Sequence, residues 1–243
     1  MYKPLAALLL AACLVPSAQA AGEQPEQSIN RILAAYMQAV GGEAAINRIR
    51  TREVQADQRH GPKLTYYWQA PDKILLITKK QKIGFDGGSG WVLSKKRRIT
   101  RLPKGAQKPL ETDANPIRFV HLKSLYSEID LGKPETIDEV RMDVLIAPND
   151  IGSTKFYFDP ATHLLRRIEE TGETSAYYKQ TTEFLDYQEV DGIRFPFRIV
   201  HSSTEPGMGV KDIRVSDVRQ NVPLKPDIFS KPTGGAVVFG GKR

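Results

Sequence analysis

A chain of 243 residues that is 40% hydrophobic and 26% charged can build one generous core or two small ones and is not the composition of a disordered or fibrous protein. It contains a single cysteine, which excludes an intramolecular disulfide, so the fold must rest on its own core. The formal net charge of +7 is gathered in short clusters, and what it attracts depends on where the chain resides.

The opening residues settle that expectation. Lys3 is followed by an apolar run over 4–15 and by Ala18-Gln19-Ala20, the order of an export signal with its cleavage site. Pro16, Ser17 and Gln19 interrupt the run before the ~20 apolar residues that a membrane span needs. The reading is a signal peptide over 1–20, cleavage after Ala20 and release into the periplasm. The alternative is a membrane-anchored lipoprotein, because Leu10-Ala11-Ala12-Cys13 resembles a lipobox whose cysteine is lipidated. In an exported chain nucleic acid is not an expected partner. The basic runs Lys79-Lys80 with Lys82, and 95–98 with Arg101 and Lys104, suit an anionic membrane surface. The plainer reading is solvated strand faces that discourage edge pairing.

Beyond a loose polar stretch, Ser28 reads as a helix N-cap. Ile29, Ile32, Leu33, Tyr36 and Val40 follow at helical spacing up to Gly41-Gly42, which predicts a helix with one apolar face. A second short helical turn over 43–50 carries Ile46 and Ile49. From Thr51 the apolar period becomes two. Val54 and Ala56 alternate with polar residues, then Leu64, Tyr66 and Trp68 do so. Pro71-Asp72 breaks that strand, and 74–77 is a short all-apolar one, expected to be covered on both faces. Asp86-Gly87-Gly88-Ser89-Gly90 is a hairpin signal between 82–85 and 91–93. Asn115-Pro116 starts a mid-chain helix with Ile117, Val120 and Leu125 inward. Strands resume with Val140, Met142, Val144 and Ile146, then Phe156 and Phe158, then 164–168, 181–190, 193–199 and 210–218, with Asp191-Gly192 as another hairpin. The total is about eleven strands and two or three helices. The class is α+β, mainly β, with one coiled antiparallel sheet in a single domain over 21–233 and a Gly-rich tail over 234–243.

The residues that carry chemistry are sparse. His60, His121, His163 and His201 stand apart, without metal-ligand spacing, so neither metal nor cofactor is expected. No Ser sits in a G-x-S-x-G elbow. The Gly-rich 84–90 stretch leads into a strand, not a helix, and reads as a turn, not a phosphate loop. Glu169-Glu170 and Asp186 with Glu189 remain as acids that folding could pair. The expectation is a protein that is not an enzyme; its rival is an enzyme whose Asp, Glu and His residues, His121 and Glu189 among them, meet on a concave sheet. What stands out is apolar surface at alternating strand or helical positions. Ile32, Tyr36, Tyr66, Trp68, Ile74, Leu76, Phe85, Trp91, Phe156 and Phe158 are the candidates to line an apolar ligand site, and equally the candidates to form a core.

Trp68-Gln69-Ala70-Pro71-Asp72-Lys73-Ile74 and Asp86-Gly87-Gly88-Ser89-Gly90-Trp91 resemble the strand-Pro-strand element and the D-G-x-x-x-W turn of the periplasmic lipoprotein-carrier family, LolA and LolB, with its wider set of lipoprotein-sorting-like proteins. The stretches 35–44 and 187–196, and Asn221-Val222-Pro223-Leu224 with Phe229, are similar to that wider set in the same order. The resemblance implies an unclosed antiparallel β half-barrel, with the N-terminal and mid-chain helices as a lid over a hydrophobic cavity. It also implies a binder of a lipid or an acylated lipoprotein, in lipoprotein sorting or transport. One departure stands out: the family carries an Arg directly before the Pro, which helps latch the lid, and here that place is Ala70. The apolar residue three positions after the Pro is kept as Ile74. The alternative within the same fold is an envelope protein-interaction or stress-sensor module without lipid cargo.

Overall fold

The computed structural model describes residues 24–102, 107–149, 152–172, 175–232 and 237–238; the expected signal peptide, with Cys13, lies outside them. Helix α1 is Pro25–Val40 and starts three residues before the expected cap at Ser28. Pro25 presets the first helical φ, and Gln24 in extended conformation takes the N-cap place. Ser28 is instead buried on the inward face with Ile29, Ile32, Leu33, Tyr36 and Val40. The helix stops at Gly41, whose φ of +143° and whose approach to the Gly192 carbonyl leave no room for a Cβ. Helix α2, Glu43–Arg48, is shorter than its 43–50 expectation because Ile49 is already extended.

Six strands follow as a meander: β1 Thr51–Gln58, β2 Lys63–Gln69, β3 Lys73–Ile77, β4 Gln81–Phe85, β5 Gly90–Ser94 and β6 Ile99–Arg101. The β4–β5 hairpin is held by Asp86, whose carboxylate accepts the N–H groups of Gly88 and Ser89 at 3.0 and 2.8 Å. The Ser89 bond lowers the Asp86 pKa below the usual carboxylate range. A helical segment then crosses the sheet: α3 Lys108–Ala114, a 3-10 helix Pro116–His121 and α4 Leu122–Leu125. The expected helix from Asn115-Pro116 is therefore the second half of this segment. Leu110 and Ala114 alone gave too short a period to announce α3. Asn115 breaks the run, at φ −143° and ψ 66°, because a residue before proline is pushed out of the helical region. The chain returns through β7 Asp130–Leu131, β8 Glu135–Ile137, β9 Val140–Asn149, β10 Gly152–Phe158, β11 Leu165–Gly172, β12 Ser175–Val190, β13 Ile193–Ser203 and β14 Lys211–Gln220, and ends in β15 Val237–Val238. At the β12–β13 turn Asp191 and Gly192 both have positive φ, 50° and 78°, as a two-residue type I′ hairpin requires.

The described residues thus form fifteen strands in the order β15-β6-β5-β4-β3-β2-β1-β14-β13-β12-β11-β10-β9-β7, with β8 beside β9. Two meanders run apart from the β1–β14 seam, and their far ends do not pair, so the half-barrel is unclosed. The excess over about eleven includes β7, β8 and β15, too short to show a period. Within the tail, β15 pairs with β6 in parallel, whereas the other pairings are antiparallel. Alternation sorts the side chains. The inner face of the sheet forms one large cluster with α1 and the lid segment. On the outer face Leu75, Trp91, Ile99 and Phe229 form a second cluster, and Ile137, Met142, Val144 and Tyr157 a third. As its apolar run predicts, β3 is buried on both faces: Ile74 and Leu76 inside, Leu75 outside.

Candidate functional site

The site is the concave face of the sheet and the segment 108–125 that covers it. Leu110, Ala114, Ile117, Phe119 and Val120 are buried from this lid. Phe119 lies 5.6 Å from Phe156 and 6.4 Å from Phe184, and Tyr126 lies 5.5 Å from Phe156. Tyr36 of α1 packs on Phe158 at 5.2 Å. The middle of the concave face is therefore filled with aromatic rings. Lys123 donates to Asn30 Oδ1 at 2.7 Å, which ties α4 to α1.

Space remains on the flanks of the lid. A cavity of about 380 Å³ lies between the lid, α2 and the β2–β3 turn, with Ile49, Trp68, Ile117, Val120 and Leu125 in its walls. A second, of about 210 Å³, lies against Phe119, Tyr126 and Ile168. The third, of about 440 Å³, has Leu64, Tyr66, Leu76, Ile83, Leu110 and Ile213 as apolar wall. The first and third fall in the size range of small-ligand sites, about 300–1,000 Å³.

Two polar clusters fasten the lid. Arg52 on β1 is fully buried, with its guanidinium 5.5 Å from the Trp68 ring and 5.0 Å from that of Phe195. Its Nη1 donates to Asn115 Oδ1 at 2.8 Å, at the break between α3 and the 3-10 helix. Its Nη2 makes a long 3.5 Å contact to Gln220 Oε1, and its Nε has no partner among the described residues. Burial lowers its pKa to about 9, so it remains a cation at neutral pH, held by neutral acceptors and ring faces. The second cluster centres on Asp113 of α3. Its carboxylate accepts the Tyr66 hydroxyl at 2.8 Å and His201 Nε2 at 2.8 Å. His201 Nδ1 lies 2.9 Å from the Thr182 hydroxyl, so a chain of hydrogen bonds runs from β2 through the lid to β13 and β12. Burial and the Asp113 charge push the Tyr66 pKa well above its usual value.

The ten sequence candidates separate by place. Trp68 lines the 380 Å³ cavity, and Tyr66 and Leu76 line the 440 Å³ one. Ile32, Tyr36, Ile74, Phe156 and Phe158 are packed in the inner core without lining these spaces. Phe85 is buried on the inner side of β4, opposite Ile74. Trp91 is not with them. It points to the outer face, where its Nε1 donates to the Phe229 carbonyl at 2.9 Å and its ring lies over Gly84, where a Cβ would meet it at 2.3 Å. Of the candidate acids and bases, His121 lines the 380 Å³ cavity, whereas Glu189 is exposed and does not line it. Glu169 pairs with Lys179 at 3.0 Å.

Sequence reasoning missed Arg52, Asp113, Thr182 and His201. Arg52 was findable: it continues the inward alternation of Val54 and Ala56 by one step. It also bears on the departure at Ala70, since a guanidinium does reach the lid here, from β1 instead of from the residue before Pro71. Asp113 and His201 lie 88 positions apart, and no spacing announces such a pair. No group of three or more His, Cys, Asp or Glu residues able to hold a metal occurs among the described residues.

No protein-family model and no curated protein matches the sequence. Solved structures do match the fold. A DUF1329 family protein from Desulfovibrio piger is 12% identical, covering 83% of this chain and 97% of its own, at a TM-score of 0.58. A LolA superfamily protein from Nitrosomonas europaea is 15% identical over 81% and 97%, at 0.51. A protein described as an outer membrane lipoprotein-sorting protein domain, from Vibrio parahaemolyticus, is 15% identical over 75% and 88%, at 0.50. The chain has the LolA-like fold, and at these identities the likeness is one of fold.

Proposed function

We propose that this protein is an exported, non-enzymatic binder of an acyl-bearing ligand, a lipid or the anchor of a lipoprotein, in the periplasm of its host. The observation that carries the reading is the lid-covered concave face with apolar-walled cavities of about 380 and 440 Å³ on the two flanks of the lid. Ten buried methylene groups would contribute roughly 8 kcal/mol before the costs of ordering, so such walls need few polar contacts to hold a chain. The fold similarity to lipoprotein-sorting domains supports the reading; fold alone does not carry an activity. Role in lipoprotein sorting or transport is the finer proposal, as are cleavage after Ala20 and a single folded unit that starts at 21 and reaches past 233 to β15.

A second reading has one observation in its favour. The rings of Phe119, Phe156 and Phe184 already fill the middle of the concave face, as expected of an interaction or sensor module without lipid cargo. Native mass spectrometry of the mature protein from its own periplasm, with organic extraction, separates the two. A bound lipid or acylated peptide, with a mass that begins at Ala21, is the expected result. A clean unliganded mass together with no binding of cis-parinaric acid sinks the acyl reading and leaves the module.

A further inference from the structure

Among the described residues the two most exposed large apolar side chains are Val210, at 69%, and Met208, at 46%. Both belong to the loop 204–210 between β13 and β14. That loop lies at the mouth of the 440 Å³ cavity, whose walls include Met208, Gly209, Lys211, Thr78 and Lys80. Exposed apolar side chains on one loop beside a cavity mark a contact surface.

The same rim is basic. Lys80 sits in the β3–β4 turn, which is braced by the Thr78 hydroxyl accepting the N–H groups of Lys80 and Gln81 at 3.1 and 3.0 Å. The β5–β6 turn is fastened to it, since Lys95 N–H donates to the Lys80 carbonyl at 2.9 Å. The two turns and the start of β14 thus present Lys79, Lys80, Lys95, Lys96 and Lys211, all exposed, on one side of the molecule. None has an acidic side chain within ion-pair distance among the described residues. Glu205 is the loop's own acid and leaves the rim positive.

Apolar side chains that project among unpaired lysines suit a surface with an apolar interior beneath anionic headgroups. We propose that this rim docks on an anionic lipid bilayer. Met208 and Val210 enter the interface, the lysines lie on the lipid phosphates, and the mouth of the 440 Å³ cavity is set against the membrane. The inference rests on the acyl-binding reading for its purpose, because it gives the chain a route from bilayer to cavity that avoids bulk water. Docking itself is measured separately.

The test is co-sedimentation of the mature protein with phosphatidylcholine vesicles and with vesicles that also hold about a third phosphatidylglycerol. The expected result is at least tenfold tighter binding to the anionic vesicles at about 0.1 M salt, lost at about 0.5 M. Each of Lys80→Gln and Lys95→Gln should weaken it roughly fivefold. The pair Met208→Ser with Val210→Ser should weaken it about tenfold. Val140→Ser, exposed on another strand, should leave it unchanged. Equal binding to both vesicle types, or full binding by the Met208 and Val210 variant, overturns the proposal. If wild-type protein ignores vesicles and still binds cis-parinaric acid, the docking rim fails alone. If it binds vesicles and not the fatty acid, the acyl reading fails and the rim stands.

Discussion

Arg52 shows how one residue can join the sheet to its lid while costing the fold something. Its cation is buried among rings and neutral acceptors, where desolvation is poorly offset. Truncation to alanine should remove this cost yet leave a void and an unpaired Asn115. Arg52→Met keeps most of the volume, so it should be more stable than Arg52→Ala by about 2–4 kcal/mol in urea titration. The pH dependence has a definite sign. The folded guanidinium releases its proton near pH 9, whereas the unfolded one keeps it to its ordinary, much higher value, so the unfolded chain binds more protons above pH 9. The Arg52 contribution to stability therefore rises with pH from about 9. Tyr36 and Tyr66 act in the opposite direction, because burial raises their folded pKa values and stability is lost once the unfolded tyrosines ionise. The clean readout is the difference between wild type and Arg52→Met, which should grow in favour of wild type as pH rises above 9. A difference that stays flat would mean that the Arg52 cation is not penalised by the fold.

At the scale of elements, the lid is held to the sheet by two polar points over an aromatic floor. Asp113 serves β2 and β13 through Tyr66 and His201, and Asn115 serves β1 through Arg52. Under the acyl-binding proposal the lid must open, and hydrogen bonds to charged groups, with a net worth of about 1.5–3 kcal/mol each, release more readily than a packed core. Asp113→Ala strands the Tyr66 hydroxyl and His201 in a largely buried place. Amide exchange over 108–121 should then accelerate by roughly 10- to 100-fold, with the strands β10 to β13 unchanged. Equal acceleration throughout would mean that the cluster is part of the global core and not a local fastening.

For the molecule as a whole, the C-terminal segment matters more than its polar sequence suggests. After β14 the chain crosses the outer face, where Phe229 covers Leu75, Trp91 and Ile99. Phe229→Ala should cost about 3–5 kcal/mol of global stability, read by thermal or urea unfolding. Affinity for cis-parinaric acid should stay within about twofold, since the outer cluster does not meet the cavities. A loss of affinity in protein that remains folded would show that the two faces are coupled through β3 to β5.

Much of this was legible in the chain. Period-two alternation and Gly-centred turns placed the long strands, because a half-buried strand must write its two faces into the sequence. The helical stripe of α1 was visible for the same reason, and the Asp86 and Asp191 hairpins rested on local backbone chemistry. Alternation also said that Trp68 and Trp91 each face one side of a strand; it did not say which side was the concave one, and Trp91 belongs to the other. That choice is made by pairing and by what lies above each face: the lid within, Phe229 without. The Asp113–His201 pair, the Arg52–Asn115 contact and the meeting of the basic turns with the apolar 204–210 loop at the cavity mouth were equally beyond local reading, although the basic runs themselves were visible. Each joins residues far apart in the chain, and only the β1–β14 seam and the crossing of the lid bring them together. The sequence by itself determined α1, the long strands, the absence of a disulfide and the amphipathic faces, since these follow from local sterics and burial. The tertiary structure alone decided which apolar residues became core, which border open space and which polar groups hold the lid, since those depend on contacts that no period records.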